Sequence, residues 1–167
     1  WAQLGAGRMS DAAESFDKLA AVKGLEAFGL YHKALALASV GDLEGADDIL
    51  SGRAKGEIAL LRRGVIAHAQ ILSQLERNPD ALALIDKHFV GSNDPEIADL
   101  KRRLAAGEPL AFTIVRTPRD GIAEVFYTLA ATMSGEVDNN LTLMHARIAQ
   151  HLRPDNAEAV LLTASLL

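Results

Sequence analysis

Apolar residues along the chain recur at three- and four-residue steps, the spacing that gathers them on one face of an α-helix. Leu61, Val65, His68 and Leu72 keep that step within a helical stretch expected from Glu57 to Arg77, and an earlier stretch runs from Leu25 to Val40. Turn signals separate the stretches. Gly7-Arg8-Met9-Ser10-Asp11-Ala12 and Gly41-Asp42-Leu43-Glu44-Gly45-Ala46 lie 34 residues apart; in each, an alanine follows the glycine by five residues and a large apolar residue, Phe16 or Leu50, follows the alanine by four. A repeat step of this length marks units of helix, turn and helix, with the small residue admitting a neighbouring helix. A third copy, Glu76-Arg77-Asn78-Pro79-Asp80-Ala81, keeps the alanine but lacks the glycine and has Ile85 in the large slot. A fourth places Phe126, Leu129, Ala130 and Met133 before Ala146 and Ala149, with Pro154 ending its second helix.

Between the third and fourth copies the pattern changes. Asp94 ahead of Pro95, with Gly107 beyond Ala106, predicts a capped helix over 94–106. The following run, Glu108 to Pro118, holds two prolines around a short β-leaning apolar core and is expected to be extended. It reads as a connection covering the end of the helical stack, or as an internal ligand lying in a groove of its own chain or of a second copy. Composition agrees with helix elsewhere: 49% of residues are hydrophobic but only 5% aromatic, so Ala and Leu dominate.

Together these positions resemble the tetratricopeptide repeat, in its degenerate bacterial form. The resemblance covers about 22–89 and 121–167 and takes 1–21 as the end of a truncated repeat. Departures are Lys33 and His68 at the seventh position, where Leu is usual, Thr142 in place of a small residue, and a proline kept by one repeat alone. The resemblance implies an all-α fold, a right-handed superhelical stack of antiparallel helix pairs forming one domain over 1–167. Its units would be 1–22 (truncated), 23–55, 56–90, an extra helix at 94–106, 121–154 and a C-terminal helix at 155–167. It also implies a protein-interaction scaffold whose concave groove takes a peptide or partner protein. The groove positions carried over are Phe28, Tyr31, Leu35 and Ser39, then Arg63, Ile66, Gln70, Ser73 and Gln74, then Glu124, Tyr127 and Ser134. Members that grip a C-terminal carboxylate use Lys, Arg and Asn in the groove; Tyr31, Leu35, Ile66 and Gln70 stand there instead, so that clamp is not expected.

Other chemistry finds little support. Gly5-Ala6-Gly7 imitates a dinucleotide fingerprint, but no strand precedes it and no acidic residue closes a following one, which leaves a dinucleotide-binding enzyme fragment as a remote alternative. The five histidines form no HExxH or other close pair, so no metal is expected, and His68 reads as a hydrogen-bonded core residue. Asp47 and Asp48 diverge by about 100° on a helix and read as a solvated face. Lys101-Arg102-Arg103 reads as surface, paired with Asp99. No serine sits in a nucleophile elbow, so neither an enzyme nor a cofactor is expected.

The charge balance, 17 Lys plus Arg against 22 Asp plus Glu, is acidic and mixed along the chain, which argues against nucleic acid. No apolar run reaches the length of a membrane span, so no membrane insertion is expected. The chain opens on Trp1 without an initiator methionine and reads as a piece of something longer, leaving bacterial cytoplasm and periplasm both open. A structural or self-associating segment of a larger repeat protein, hence a homo-oligomer, is the alternative to the scaffold.

Overall fold

The computed structural model describes residues 1–54, 60–136 and 138–167. Among them the chain is all-α, with ten helices and no strand. In order these are α1 Ala2–Gly5, α2 Met9–Ala20, α3 Glu26–Ser39, α4 Leu43–Leu50, α5 Arg62–Gln74, α6 Asn78–His88, α7 Pro95–Ala105, α8 Pro118–Met133, α9 Asn139–Leu152 and α10 Ala157–Ser165. They divide into two compact units, one made of Ser10–Ile114, the other of Trp1–Met9 with Val115–Leu167.

In the 10–114 unit, α3 packs on α4, α4 on α5, α5 on α6 and α6 on α7. The alanines of the sequence pattern are inward: Ala46 and Ala81, on helices of these crossings, and Ala12 on α2 are almost wholly buried, and Phe16, Leu50 and Ile85 are buried one turn later. Close approach of α2 and α3 depends on Gly29, where a Cβ would lie 2.9 Å from the Ala20 side chain. The turn from α3 to α4 is made by Gly41 at φ 92°, and the turn from α5 to α6 by Glu76 at φ 60°. The third copy therefore bends in the left-handed region that its missing glycine would favour.

Two helix boundaries differ from expectation. The stretch predicted from Glu57 starts as α5 at Arg62, because Leu61 is extended at ψ 166° and half-exposed; residues 57–59 lie outside the described ones. It stops at Gln74 because Glu76 cannot continue a right-handed helix. The α7 prediction is met closely: Asp94 accepts from the Glu96 N–H at 2.9 Å, Pro95 opens the helix, and Gly107 follows at φ 75°.

In the other unit, α8 packs on α9, α9 on α10 and α1 on α8. A Cβ at Gly121 would collide with the Trp1 indole, so that glycine admits the ring. Thr117, Asp138 and Asn156 cap α8, α9 and α10 by accepting backbone N–H bonds. Ala146 and Ala149 are fully buried, and α9 ends two residues before Pro154.

Candidate functional site

Of the twelve groove residues, Tyr31, Leu35, Arg63, Ile66, Gln70, Ser73 and Glu124 are buried, Phe28, Ser39 and Tyr127 are half-buried, and Gln74 and Ser134 are exposed. Phe28 and Tyr31 converge on His32, with ring centroids 4.5 and 5.2 Å from the imidazole. Gln70 belongs to a different group, in which the occupant is the chain's own irregular segment. Thr113 N–H donates to Gln70 Oε1 at 2.9 Å while Gln70 Nε2 donates to Thr113 Oγ1 at 3.0 Å. Leu110 N–H donates to Ser73 Oγ at 2.8 Å, and Leu110 O accepts from Gln74 Nε2 at 2.6 Å. Asn78, held by Ser73 at 2.7 Å, donates to Glu108 O at 3.1 Å. One face of α5 and the start of α6 thus satisfy the backbone of a non-helical segment from side chains. The Leu110 and Ile114 side chains are buried along with it.

The opposite requirement, a place for buried charge, is met at the α4, α5 and α6 crossing. Asp47 is wholly buried, which corrects the solvated-face reading: Ala46, Asp47 and Leu50 share the inward side of α4, and of the two aspartates Asp48 alone is exposed. Its carboxylate accepts from His68 Nε2 at 2.7 Å, Arg53 Nη2 at 2.6 Å and Arg77 Nη1 at 2.6 Å. Burial alone would raise the Asp47 pKa, but the hydrogen bonds from Arg53 and His68 outweigh it and hold the carboxyl below its ordinary value. For His68, burial outweighs the attraction of Asp47, so the pKa is lowered and the imidazole is neutral. An ionised carboxylate only accepts, so Nε2 carries the proton and Nδ1 is left as an acceptor. Among the described residues Nδ1 has no hydrogen-bond partner.

Beside this cluster is a cavity of about 300 Å³, reached by Arg53, Arg77, Lys87 and His88 and backed by Leu50, Leu60, Leu72 and Leu84. Reading the chain could not find it. Arg53, Arg77 and Asp47 are scattered in sequence, and the one available signal was that Asp47 lies between Ala46 and Leu50 on a helix face destined for the interior. The basic run on α7 behaves as expected of surface, with Arg102 on Asp99 at 2.6 Å and Lys101 on Asp86 at 2.5 Å.

Among the described residues no group of His, Cys, Asp and Glu is placed to hold a metal ion, and no helix is long and apolar enough to cross a membrane. No family model, curated protein or solved structure matches the chain.

Proposed function

We propose that the chain is a tetratricopeptide-like segment, a right-handed stack of antiparallel helix pairs that binds an extended stretch of protein and catalyses no reaction. The observation that carries this reading is the α5 face, where Gln70, Ser73 and Gln74 bond the backbone of a non-helical segment at Leu110 and Thr113. Backbone-directed bonds supply affinity for any extended chain, and the burial of Leu110 supplies preference for an apolar side chain three residues before a hydroxyl. Packed helix pairs with alanines at the crossings and a left-handed residue at each of the α3–α4 and α5–α6 turns support the architectural half of the proposal.

In this state the chain's own segment occupies the face, so a partner must displace it. A labelled peptide copying residues 108–115 tests the proposal. Leu110→Ala with Thr113→Ala loosens the internal occupant, and that double variant is expected to bind the peptide saturably and more tightly than the unaltered chain, whose tethered segment competes at millimolar effective concentration. Adding Gln70→Ala and Gln74→Ala is expected to abolish binding. Failure of the loosened variant to bind, with its circular dichroism unchanged, would overturn the reading. The same contact exchanged between copies would give the self-associating alternative, and sedimentation of the unaltered chain over a concentration series separates the two.

A further inference from the structure

We propose that the cavity at the α4, α5 and α6 crossing binds a small organic acid, one that joins a carboxylate to a short apolar group and an N–H or O–H donor. Three features of the cavity specify these three parts. Its charged lining is Arg53, Arg77 and Lys87 against Asp47 and Asp80, beside His68 and His88, an excess of cation within a chain of net charge -5. Both guanidiniums are already fixed. Arg53 uses Nε and Nη2 on Asp48 and Asp47, Arg77 uses Nε and Nη1 on Asp80 and Asp47, and the remaining terminal nitrogen of each is unengaged among the described residues. Lys87 makes no ion pair among the described residues. Donors held in place by a buried carboxylate lose little freedom when an anion arrives, which is the condition for tight recognition of a planar carboxylate.

The second feature is His68. Its side chain is 6% exposed, Nε2 is committed to Asp47, and Nδ1 offers a buried lone pair with nothing described to fill it. A ligand N–H or O–H answers that demand. The third is the leucine wall, which favours an apolar group, and the volume, about 300 Å³, lies at the small end of the range for ligand sites. The acid is either a free metabolite or the last residue of a polypeptide, since both present the same groups.

N-acetyl-leucine is the probe, with N-acetyl-leucinamide as its uncharged twin, followed by calorimetry and by nitrogen-15 NMR of the imidazole and guanidinium groups. The expected result is saturable binding of the acid, at least tenfold weaker binding of the amide, and movement of the His68 Nδ1 resonance on titration. Lys87→Glu, at an exposed position, is expected to weaken the acid at least tenfold without moving the melting temperature. A tripeptide ending in leucine that binds more tightly than the probe assigns the carboxylate to a polypeptide end, and equal or weaker binding assigns it to a free acid. The proposal is overturned if the amide binds as well as the acid, if Lys87→Glu leaves the affinity unchanged, or if no binding is seen at millimolar probe.

Discussion

The helix pairs α3–α4 and α5–α6 occupy corresponding stretches of the sequence and solve the same problem differently. Each carries a polar residue where the apolar spacing of its helix puts an inward position, Lys33 in α3 and His68 in α5, and each finds an aspartate on the preceding helix. Lys33 meets Asp17 at 2.6 Å with both side chains partly in solvent, at 21% and 38% exposure. His68 meets Asp47 at 2.7 Å with both nearly or wholly buried, and two arginines complete the carboxylate. The first pair decorates an edge, whereas the second holds three elements together. Neighbouring chemistry differs in the same sense: α3 buries His32 among Phe16, Phe28 and Tyr31, while α5 buries Gln70 and Ser73 against the chain's own non-helical segment. An aromatic surround sets depth without fixing register, but a polar partner tolerates only one alignment.

The sharpest test is Asp47→Ala. It removes the acceptor shared by His68, Arg53 and Arg77 and is expected to destabilise the chain by about 3 kcal/mol in urea denaturation, the low end for breaking a buried ion pair because the guanidiniums reach solvent. A cost below about 1 kcal/mol would erase the distinction between the two pairs.

Acidification separates the two histidines next. Burial lowers the His32 pKa to about 3, and burial lowers that of His68. Below pH 6.5 the unfolded chain takes up protons that the folded chain refuses. Stability is therefore complete above pH 6.5 and falls as the pH drops toward 3 for His32, at up to about 1.4 kcal/mol per pH unit for each such proton. Asp47, held below its ordinary value, adds its loss only beneath about pH 3.8. His32→Phe is expected to flatten the profile between pH 6.5 and 4, and His68→Gln to flatten it less, because Asp47 partly offsets burial there.

The turn of each pair offers a smaller effect. Gly41 bends at φ 92° without strain, while Glu76 holds φ 60° with a side chain attached. Glu76→Gly is expected to raise stability by about 1 kcal/mol in the same denaturation, the usual cost of the left-handed conformation; Gly41→Ala is expected to lower it by a similar amount.

How much of this could be read in advance follows the same division. Backbone and small-residue signals were legible: Gly41 at its turn, Ala46 and Ala81 at their crossings, the Asp94 and Pro95 start of α7, and the non-helical run after Gly107. They are local, since a dihedral angle or a helix face is set by residues within a few positions. The polar partnerships were not. Adjacency told that Asp47 and Asp48 diverge but not which of them faces inward, and Gln70 and Ser73 carry no mark that Thr113 and Leu110 will answer them about forty residues later. Pairing across that span depends on how helices pack, which single positions do not encode.

The smallest effect expected is at the edge pair, and salt makes it diagnostic. Asp17→Ala removes a half-exposed carboxylate, leaves Lys33 able to turn toward water, and is expected to cost no more than about 1 kcal/mol in dilute buffer. In 1 M sodium chloride the screening length shrinks to about 3 Å and that cost should disappear. Asp47 is shielded from the same ions by the helices around it, so the cost of Asp47→Ala should survive at high salt almost unchanged. If salt erased both costs, solvent would reach the α4, α5 and α6 crossing, and the contrast between an edge pair and a buried node would have to be given up.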